Sequence, residues 1–263
     1  MSSLTVQKGH RYRINGHHML SNPKYINYLI IKDNIKTNFD TVKDFDGNIY
    51  KTVKIGSQIW LAENLKVTHY NNGDPIPSKL SDPVWSKLAD QKTGACSVYN
   101  DNPENLKIYG NLYNWYAVND DRGICPEGFH IPTDKEWMEL ESYLGMTEDE
   151  LKSTNTRGYG LGGQLAGNVD LWKKFNKYPE RNNSLGDDPN FGVSGFLALP
   201  GGSRSFSNGG YNFLEDCGYF WSSTDNDTHS AMYRQLIFYS SGVSRDFYPK
   251  GHGFSIRCLK KNN

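Results

Sequence analysis

Alternating apolar and polar positions predict β-strands over much of the chain. Ile49, Val53 and Ile55 share one face of an extended segment, since successive side chains of a strand point to opposite sides. A turn over 44–48 precedes this segment and contains a glycine that takes a positive φ at little cost. A Gly-Ser turn and the short apolar run Gln-Ile-Trp-Leu follow it. The pattern therefore predicts a β-hairpin over 48–62.

Short strands and turns also dominate the chain from about residue 190 to its end, where Gly, Ser, Asn, Tyr and Phe are frequent. We expect a strand over 231–239, a turn over 240–242, a return strand over 243–248 and a last strand over 253–259. One face of the first of these strands is apolar enough to be buried. Its two faces are Tyr233, Gln235, Ile237 and Tyr239 on one side and Met232, Arg234, Leu236 and Phe238 on the other. On the last strand the residues that face together are Phe254, Ile256 and Cys258.

One helix is marked by its own start signal. Thr133 and Glu136 have the spacing of a capping box, in which each side chain accepts a hydrogen bond from the backbone N–H of the other. The helix should therefore begin at Asp134. An apolar stripe and a terminal glycine complete the pattern at Trp137, Leu140, Leu144 and Gly145.

Two further helices are predicted with weaker signals. Thr147 and Glu150 repeat the capping box, which predicts a short helix within 147–153. The other helix is expected to start at Tyr109-Gly110 and to run through Leu112, Trp115 and Ala117.

Charge distinguishes the first residues from the rest of the chain. Lys plus Arg and Asp plus Glu both number 29, so the chain lacks the broad positive field that non-specific nucleic-acid binding needs. Residues 1–43 are basic by themselves, which divides the chain into an N-terminal arm or attachment segment over 1–43, irregular over 1–39, and one domain over 44–263. Within the domain, 71–107 is polar and rich in Pro and indicates a long surface excursion. No signal peptide and no membrane-spanning run is expected.

The four cysteines are too widely spaced for a CxxC metal or redox motif, and they allow three pairings. Buried free thiols are the favoured interpretation, one disulfide is the main alternative, and a reactive thiol is the least favoured. We place Cys125 near Cys258, which makes this pair the disulfide candidate. The other two cysteines are Cys96 and Cys217.

Catalytic patterns are weak. Residues 158–163 satisfy GxGxxG, but the polar run 152–157 in front of them does not resemble a strand, so we interpret the glycines as a loop. The histidines form no HExxH motif, and the adjacent His17 and His18 point away from each other on an extended arm. We predict no catalytic residue and no zinc site.

Calcium is the remaining cofactor to consider. Carboxylates and amides cluster at 44–48, at 187–190 and at 225–227, but none of these segments contains a full EF-hand loop. Turn formation by Asp and Asn explains all of them. We therefore predict no cofactor, with a calcium ion bound by a loop as the alternative.

One segment has the composition of a recognition surface. Between Gly201 and Gly253, aromatic rings alternate with short hydrogen-bonding side chains, a mixture that provides contact area at low entropic cost. Ordinary exposed antiparallel strands have the same composition, and this alternative carries equal weight. The candidate ligand-binding residues are Arg204, Asn208, Tyr211, Asn212, Phe213, His229, Tyr233, Tyr239, Arg245, Phe247 and Tyr248. Trp137 and Trp221 are assigned to the core instead.

Six ordered blocks of the chain resemble those of the Fibrobacter succinogenes major paralogous domain. They are DFDGNIYKTVKIGSQIWLAENLK (44–66), YGNLYNWYA (109–117), CPEGFHIPTDKEW (125–137), FLALPGGSR (196–204), GYFWSST (218–224) and GFSIRCL (253–259). The resemblance covers about 44–260 and implies an α+β, C-type-lectin-like fold, related to that of formylglycine-generating enzymes. Such a fold has twisted antiparallel sheets, two main helices and long loops, with the first and last strands of the domain side by side.

The resemblance does not imply the activity of formylglycine-generating enzymes. Those enzymes rely on a close pair of cysteines in their C-terminal part, whereas Cys217 and Cys258 stand far apart here, in different blocks. We expect a non-catalytic recognition or adhesion module that binds a cell-surface glycan or protein and is displayed on a virion or a cell surface.

The basic arm favours attachment to a larger assembly, such as the tail or head fibre of a phage. The alternatives are a secreted lipoprotein-type adhesin that lacks its leader, a metal-dependent enzyme on the formylglycine-generating scaffold, and a structural decoration without a ligand. Whether 200–253 is a diversified variable region also stays open.

Overall fold

The structure is a computed structural model that describes residues 11–14, 17–20, 40–174 and 184–261. The chain divides into a first unit, Met1–Phe39, and a larger compact unit, Asp40–Asn263, which begins slightly ahead of the predicted domain start at Asp44. In the first unit, Arg11–Ile14 and His17–Leu20 pair as antiparallel strands where the sequence indicates an irregular arm. The rest of the predicted arm up to Phe39 lies outside the described residues.

The described strands are β1 (Arg11–Ile14), β2 (His17–Leu20), β3 (Thr41–Lys43), β4 (Ile49–Ile55), β5 (Gln58–Leu61), β6 (Cys96–Ser97), β7 (Leu112–Tyr113), β8 (Phe129–His130), β9 (Asn155–Arg157), β10 (Gly201–Arg204), β11 (Tyr211–Leu214), β12 (Cys217–Asp225), β13 (Ser230–Ile237), β14 (Ser240–Pro249) and β15 (Leu259–Lys260). The described α-helices are α1 (Asp82–Trp85), α2 (Leu88–Gln91), α3 (Pro103–Tyr109), α4 (Trp115–Val118), α5 (Asp134–Tyr143), α6 (Glu148–Lys152) and α7 (Leu161–Leu165), with 3-10 helices at Tyr99–Asp101, Val169–Leu171 and Leu185–Asp187.

Two sheets dominate the larger unit. A six-stranded sheet has the order β11-β10-β12-β13-β14-β9, and a five-stranded sheet has the order β3-β4-β5-β15-β8. All pairs are antiparallel except β10 with β12. The β4–β5 pair confirms the predicted hairpin, and Leu259 of β15 pairs with Trp60 of β5. The last strand therefore lies against the N-terminal hairpin, as expected, in a mixed architecture of antiparallel sheets and short helices.

The helix α5 confirms its sequence signals. Thr133 Oγ1 accepts from the Glu136 N–H at 3.2 Å, and Glu136 Oε2 accepts from the Thr133 N–H at 2.8 Å. Trp137 is buried on the inner face, and Gly145 adopts a φ of 108° just after the helix. The second capping box also forms and starts α6. None of the helices in the described part of the chain has the length and apolar character needed to span a bilayer.

Three strand predictions need correction. Ile49 is exposed while Tyr50 is buried, because β4 lies between two core clusters, with Tyr50 in one and Ile55 in the other. Both faces of β13 are covered, as the burial of the neighbours Met232 and Tyr233 shows. The turn after β13 is at Phe238-Tyr239, and β14 already begins at Ser240.

The predicted last strand is also shorter than expected. Regular pairing is limited to Leu259–Lys260. The backbone N–H groups of Gly253, Phe254 and Ser255 donate instead to Arg204, Tyr113 and Tyr219, which belong to three different elements. This segment crosses the core, and each of these buried backbone N–H groups has its hydrogen-bond acceptor in a different element.

Before residue 118, one prediction was wrong and another was incomplete. The expected helix through 109–117 does not form, because Gly110, with a φ of 74°, ends α3, and Asn114 caps the separate helix α4. A Cβ at Gly110 would lie 2.7 Å from the Leu65 carbonyl oxygen, so the chain approaches its neighbour there as only glycine allows. The segment 71–107 is not merely a surface excursion, since it folds into short elements around the buried Trp85.

A buried charge network joins α5 to the six-stranded sheet. Glu141, in α5, accepts from Arg157 Nη2 at 2.6 Å and from Arg234 Nε at 2.6 Å. Asp134 accepts from Arg234 Nη1 at 2.7 Å and from Arg245 Nη2 at 2.7 Å. Burial raises the pKa of Asp134, but the hydrogen bonds and charges of the two arginines outweigh burial and leave that pKa below its usual value.

The structure places Cys125 and Cys258 in a disulfide that links the segment before β8 to the residue before β15. Cys96 and Cys217 are buried free thiols. Burial raises the pKa of Cys96 to about 12 and also raises that of Cys217. Neither thiol therefore has the thiolate character of a reactive cysteine.

Candidate functional site

The hairpin of β10 and β11 carries the densest group of predicted ligand-binding residues. Asn208 lies in its loop, and Tyr211, Asn212 and Phe213 lie in β11. Asn208, Asn212 and Phe213 are exposed, and Tyr211 is half-buried. Since β11 is an edge of the six-stranded sheet, its outer side has no strand partner among the described residues. This hairpin is the best candidate for a ligand-binding surface.

The backbone of the hairpin is strained where it displays its most exposed ring. Phe213 has a φ of 63° and a side chain that is 54% exposed. It stands opposite Gly202, whose φ is 65° and whose added Cβ would lie 2.5 Å from the Asn212 carbonyl oxygen. A bulky residue with a positive φ is rare, and such strain concentrates at functional sites. The exposed ring of Phe213 is therefore the main candidate for direct contact with a ligand.

Arg204, which the sequence indicates as a ligand-binding residue, is fully buried beneath the hairpin. Its guanidinium carbon lies 4.5 Å from the ring centroid of Trp85 and 4.8 Å from that of Tyr211. Its Nε donates to the Gly209 carbonyl oxygen at 2.8 Å. Arg204 thus holds the hairpin against the segment 71–107 and shapes the surface from below.

A cleft of about 440 Å³ opens beside this hairpin, within the size range of ligand sites. Asp101, on its rim, accepts from the Tyr211 hydroxyl at 3.2 Å, which connects the cleft to β11. Lys79 and Asp101 both have a positive φ, of 54° and 53°. The apolar wall consists of Cys96, Val98, Pro103 and Leu106.

A row of aromatic rings crosses the six-stranded sheet. The ring centroids are 6.4 Å apart for Phe213 and Tyr219, 6.1 Å for Tyr219 and Tyr233, and 5.6 Å for Tyr233 and Tyr248. Tyr219 and Tyr233 are buried under Phe254, whereas Phe213 and Tyr248 are exposed at the two ends. Of the predicted residues in this row, Tyr233 thus belongs to the core and the other two reach the surface.

His252 extends this row among the rings of Phe206, Tyr248 and Phe254. Burial lowers its pKa from 6.5 to about 4. Because the folded state disfavours the imidazolium, the contribution of His252 to stability is fully present well above pH 6.5. This contribution is lost as the pH is lowered from 6.5 to 4. We expect a loss of about 2–3 kcal/mol over this window in urea unfolding. His252→Gln should flatten the dependence, and equal slopes for the two proteins would contradict the assignment.

The other predicted residues do not join the hairpin. Arg245 is occupied by Asp134 in the buried charge network. Phe247 is exposed but points to the opposite side of β14 from its neighbour Tyr248. His229 precedes β13 and Tyr239 follows it, so the two stand at opposite ends of one strand, on the order of 25 Å apart. These residues therefore do not form one compact ligand site.

A comparison with models of protein families matches residues 53–260 to the Fibrobacter succinogenes major domain. The match spans most of the chain. The chain belongs to the Fibrobacter succinogenes major domain family. Comparisons with curated proteins and with solved structures found no match.

In this Fibrobacter succinogenes major domain, the three Asp and Asn clusters make their own turns. Asp44 Oδ1 accepts from the Asn48 N–H at 2.9 Å, Asp188 Oδ1 from the Asn190 N–H at 2.8 Å, and Asp227 Oδ1 from the N–H of a residue two positions later. Within 40–174 and 184–261, no three His, Cys, Asp or Glu side chains converge as metal ligands would. One carboxylate of each cluster thus caps its own turn, whereas Asp46 of the first cluster binds Thr68 and His69 instead.

The glycines of 158–163 have a different setting from the predicted one. A strand, β9, does precede them, and the short helix α7 begins within them, at Leu161. Gly162 and Gly163 permit close packing, since a Cβ at Gly162 would lie 2.6 Å from the Gly242 carbonyl oxygen and one at Gly163 would meet Asp188. The carboxylate of Asp188 would repel a phosphate at this position. The glycines therefore allow close packing and do not form a phosphate-binding loop.

The cleft beside β11 was missed because its walls come from distant parts of the sequence. Thr68, Lys79, Ser97 and Leu106 meet there only after 71–107 has folded back on the domain. The one available signal was the length of that segment, since long insertions in compact domains are often functional.

Proposed function

We propose that this Fibrobacter succinogenes major domain is a non-catalytic recognition module of C-type-lectin-like fold that binds a glycan or a protein surface. The observation that supports it best is the exposed ring of Phe213, held on a strained edge strand beside a ligand-sized cleft. Rigid rings next to Asn208 and Asn212 combine contact area with adaptable hydrogen bonds.

The antiparallel sheets, the contact between β15 and the N-terminal hairpin, and the capped helix α5 support the C-type-lectin-like assignment. The proposal that the chain lacks the cysteine-dependent activity of formylglycine-generating enzymes is supported by the cysteines, since Cys258 is in the disulfide and the thiols of Cys96 and Cys217 are buried with raised pKa values.

The proposed location is outside the cell that makes the protein, on a virion or a cell surface. The disulfide supports it, because such bonds persist mainly in oxidising environments. We propose attachment to a larger assembly, such as a phage virion, through residues 1–43. If a chain without the arm still incorporates into its parent particle, the arm is not the attachment segment.

Phe213→Gly is expected to separate binding from stability. Glycine removes the ring but also relieves the strain of a φ of 63°, so the free energy of unfolding should change by no more than about 1 kcal/mol. Binding to the cells or glycans that a screen identifies should fall at least about tenfold, as for a ring at the centre of an interface.

The matched control is Tyr159→Ala, which removes a ring that is also more than half exposed and lies far from β11 in sequence. Its binding should equal that of the wild type. A screen of glycans and cells that stays blank for the wild type would contradict the recognition role, and unchanged binding by Phe213→Gly would move the contact away from this hairpin.

A further inference from the structure

The chemistry of the cleft beside β11 is set by which of its polar groups are already satisfied. Thr68 Oγ1 donates to Asp46 Oδ2 at 2.8 Å, and Asn111 Nδ2 donates to the Lys66 carbonyl oxygen at 2.8 Å. Asp101 Oδ1 accepts from the Tyr211 hydroxyl. These groups are engaged within the protein and offer little to a ligand.

Apart from the exposed Ser78, two side-chain donors in the lining remain. Ser97 is only 2% exposed. Its Oγ lies near the Tyr211 hydroxyl but forms no hydrogen bond of acceptable geometry in the described part of the chain. Lys79 is exposed at the rim, and its ammonium makes no salt bridge with any described residue. Both groups can donate hydrogen bonds, and one carries a positive charge.

A sugar does not suit this lining. Its hydroxyl groups would displace water without finding enough partners, which costs binding free energy for each group left unpaired. The apolar wall of Val98, Pro103 and Leu106 instead favours an apolar group, and the ammonium of Lys79 favours an anion beside it.

We infer that the cleft binds the C-terminal residue of a partner polypeptide, with an apolar side chain in the cleft and the terminal carboxylate at Lys79 and Ser97. A polypeptide is favoured over a free acid because Asp101, on the rim of the cleft, is hydrogen-bonded to Tyr211 of the edge strand β11. The chain that leaves the cleft can therefore run along this edge toward Phe213. The inference rests on the proposed function, since it takes the cleft as part of the recognition surface.

The test is calorimetric titration of the full chain with the tetrapeptide Gly-Gly-Ser-Leu as free acid and as C-terminal amide. The acid should bind at least about fivefold more tightly than the amide, the difference expected for one charge-assisted hydrogen bond. Lys79→Ala and Ser97→Ala should each reduce this preference. Lys107→Ala, which removes another exposed lysine of the same region, should retain it.

Equal affinity for acid and amide, or no binding of either, would overturn the inference. Binding of 4-methylpentanoate without binding of the peptide acid would overturn the polypeptide assignment and leave a site for free acids. Leu106→Trp, checked for folding by its unfolding transition, should abolish peptide binding by filling the cleft; unaltered binding would place the peptide elsewhere.

These results are separable from the test of the proposed function. If ligand binding depends on Phe213 but the peptide does not bind, only the cleft assignment is rejected. Peptide binding with a blank ligand screen would reject only the glycan or cell-surface role.

Discussion

Replacing Glu141 with alanine is expected to lower the free energy of unfolding by about 3–5 kcal/mol, because it leaves buried arginines without their counter-charge. Glu141 is fully buried and binds both Arg157 and Arg234, which are themselves buried. Burial lowers the pKa of Arg157 to about 10, with Glu141 opposing the shift. The remaining carboxylate of the network, Asp134, already serves Arg234 and Arg245. Urea unfolding measures the loss.

Glu141→Gln keeps the shape of the side chain and provides a variant that folds if the alanine variant does not. It should still be destabilised, because an amide offers one acceptor oxygen in place of two and no charge. The control is Glu148→Ala, at a side chain that is 90% exposed and 3.9 Å from Lys152, which should show no measurable change. A loss below about 1 kcal/mol for Glu141→Ala would show that the network does not hold α5 to the sheet.

Removing the disulfide by Cys125→Ala together with Cys258→Ala is expected to lower the free energy of unfolding by about 5 kcal/mol. The two cysteines are separated by 133 positions in the sequence, and the entropy of the unfolded chain rises strongly when such a long loop is released. Both residues belong to the same apolar core cluster, so the loss of packing adds to this effect. Urea unfolding of the oxidised protein and of the double variant gives the difference.

Cys96→Ala together with Cys217→Ala removes the two buried free thiols and serves as the matched control. It should cost only about 1 kcal/mol for each small cavity. Thiol titration of the denatured, unreduced wild type should find two reactive thiols. Four reactive thiols would mean that the protein as isolated has no disulfide, and the proposed oxidising location would lose its support.

Local signals predicted the elements whose partners are close in sequence. The capping box of α5 needs only Thr133 and Glu136, and both hydrogen bonds form as the spacing indicates. The β4–β5 hairpin likewise depends on a turn and two adjacent strands. Where two cores compete for one strand, as at Ile49, alternation alone gave the wrong face.

The candidate site was predicted only in part. Composition pointed to Asn208, Tyr211, Asn212 and Phe213, which the fold does bring together on one hairpin. It could not tell an exposed arginine from a buried one, so Arg204 was grouped with them. The burial of Arg204 depends on Trp85, which lies more than a hundred positions earlier in the chain.

The sequence by itself determined the start of α5, the β4–β5 hairpin, the family and the segment that carries the proposed recognition residues. These features depend on backbone geometry and hydrogen bonds between near neighbours, which short patterns encode. Only the tertiary structure decided which rings reach solvent, which arginines are buried, and where the cleft opens. Those outcomes depend on contacts between distant segments, such as 71–107 against β10 and α5 against β13, and a linear pattern does not specify such contacts.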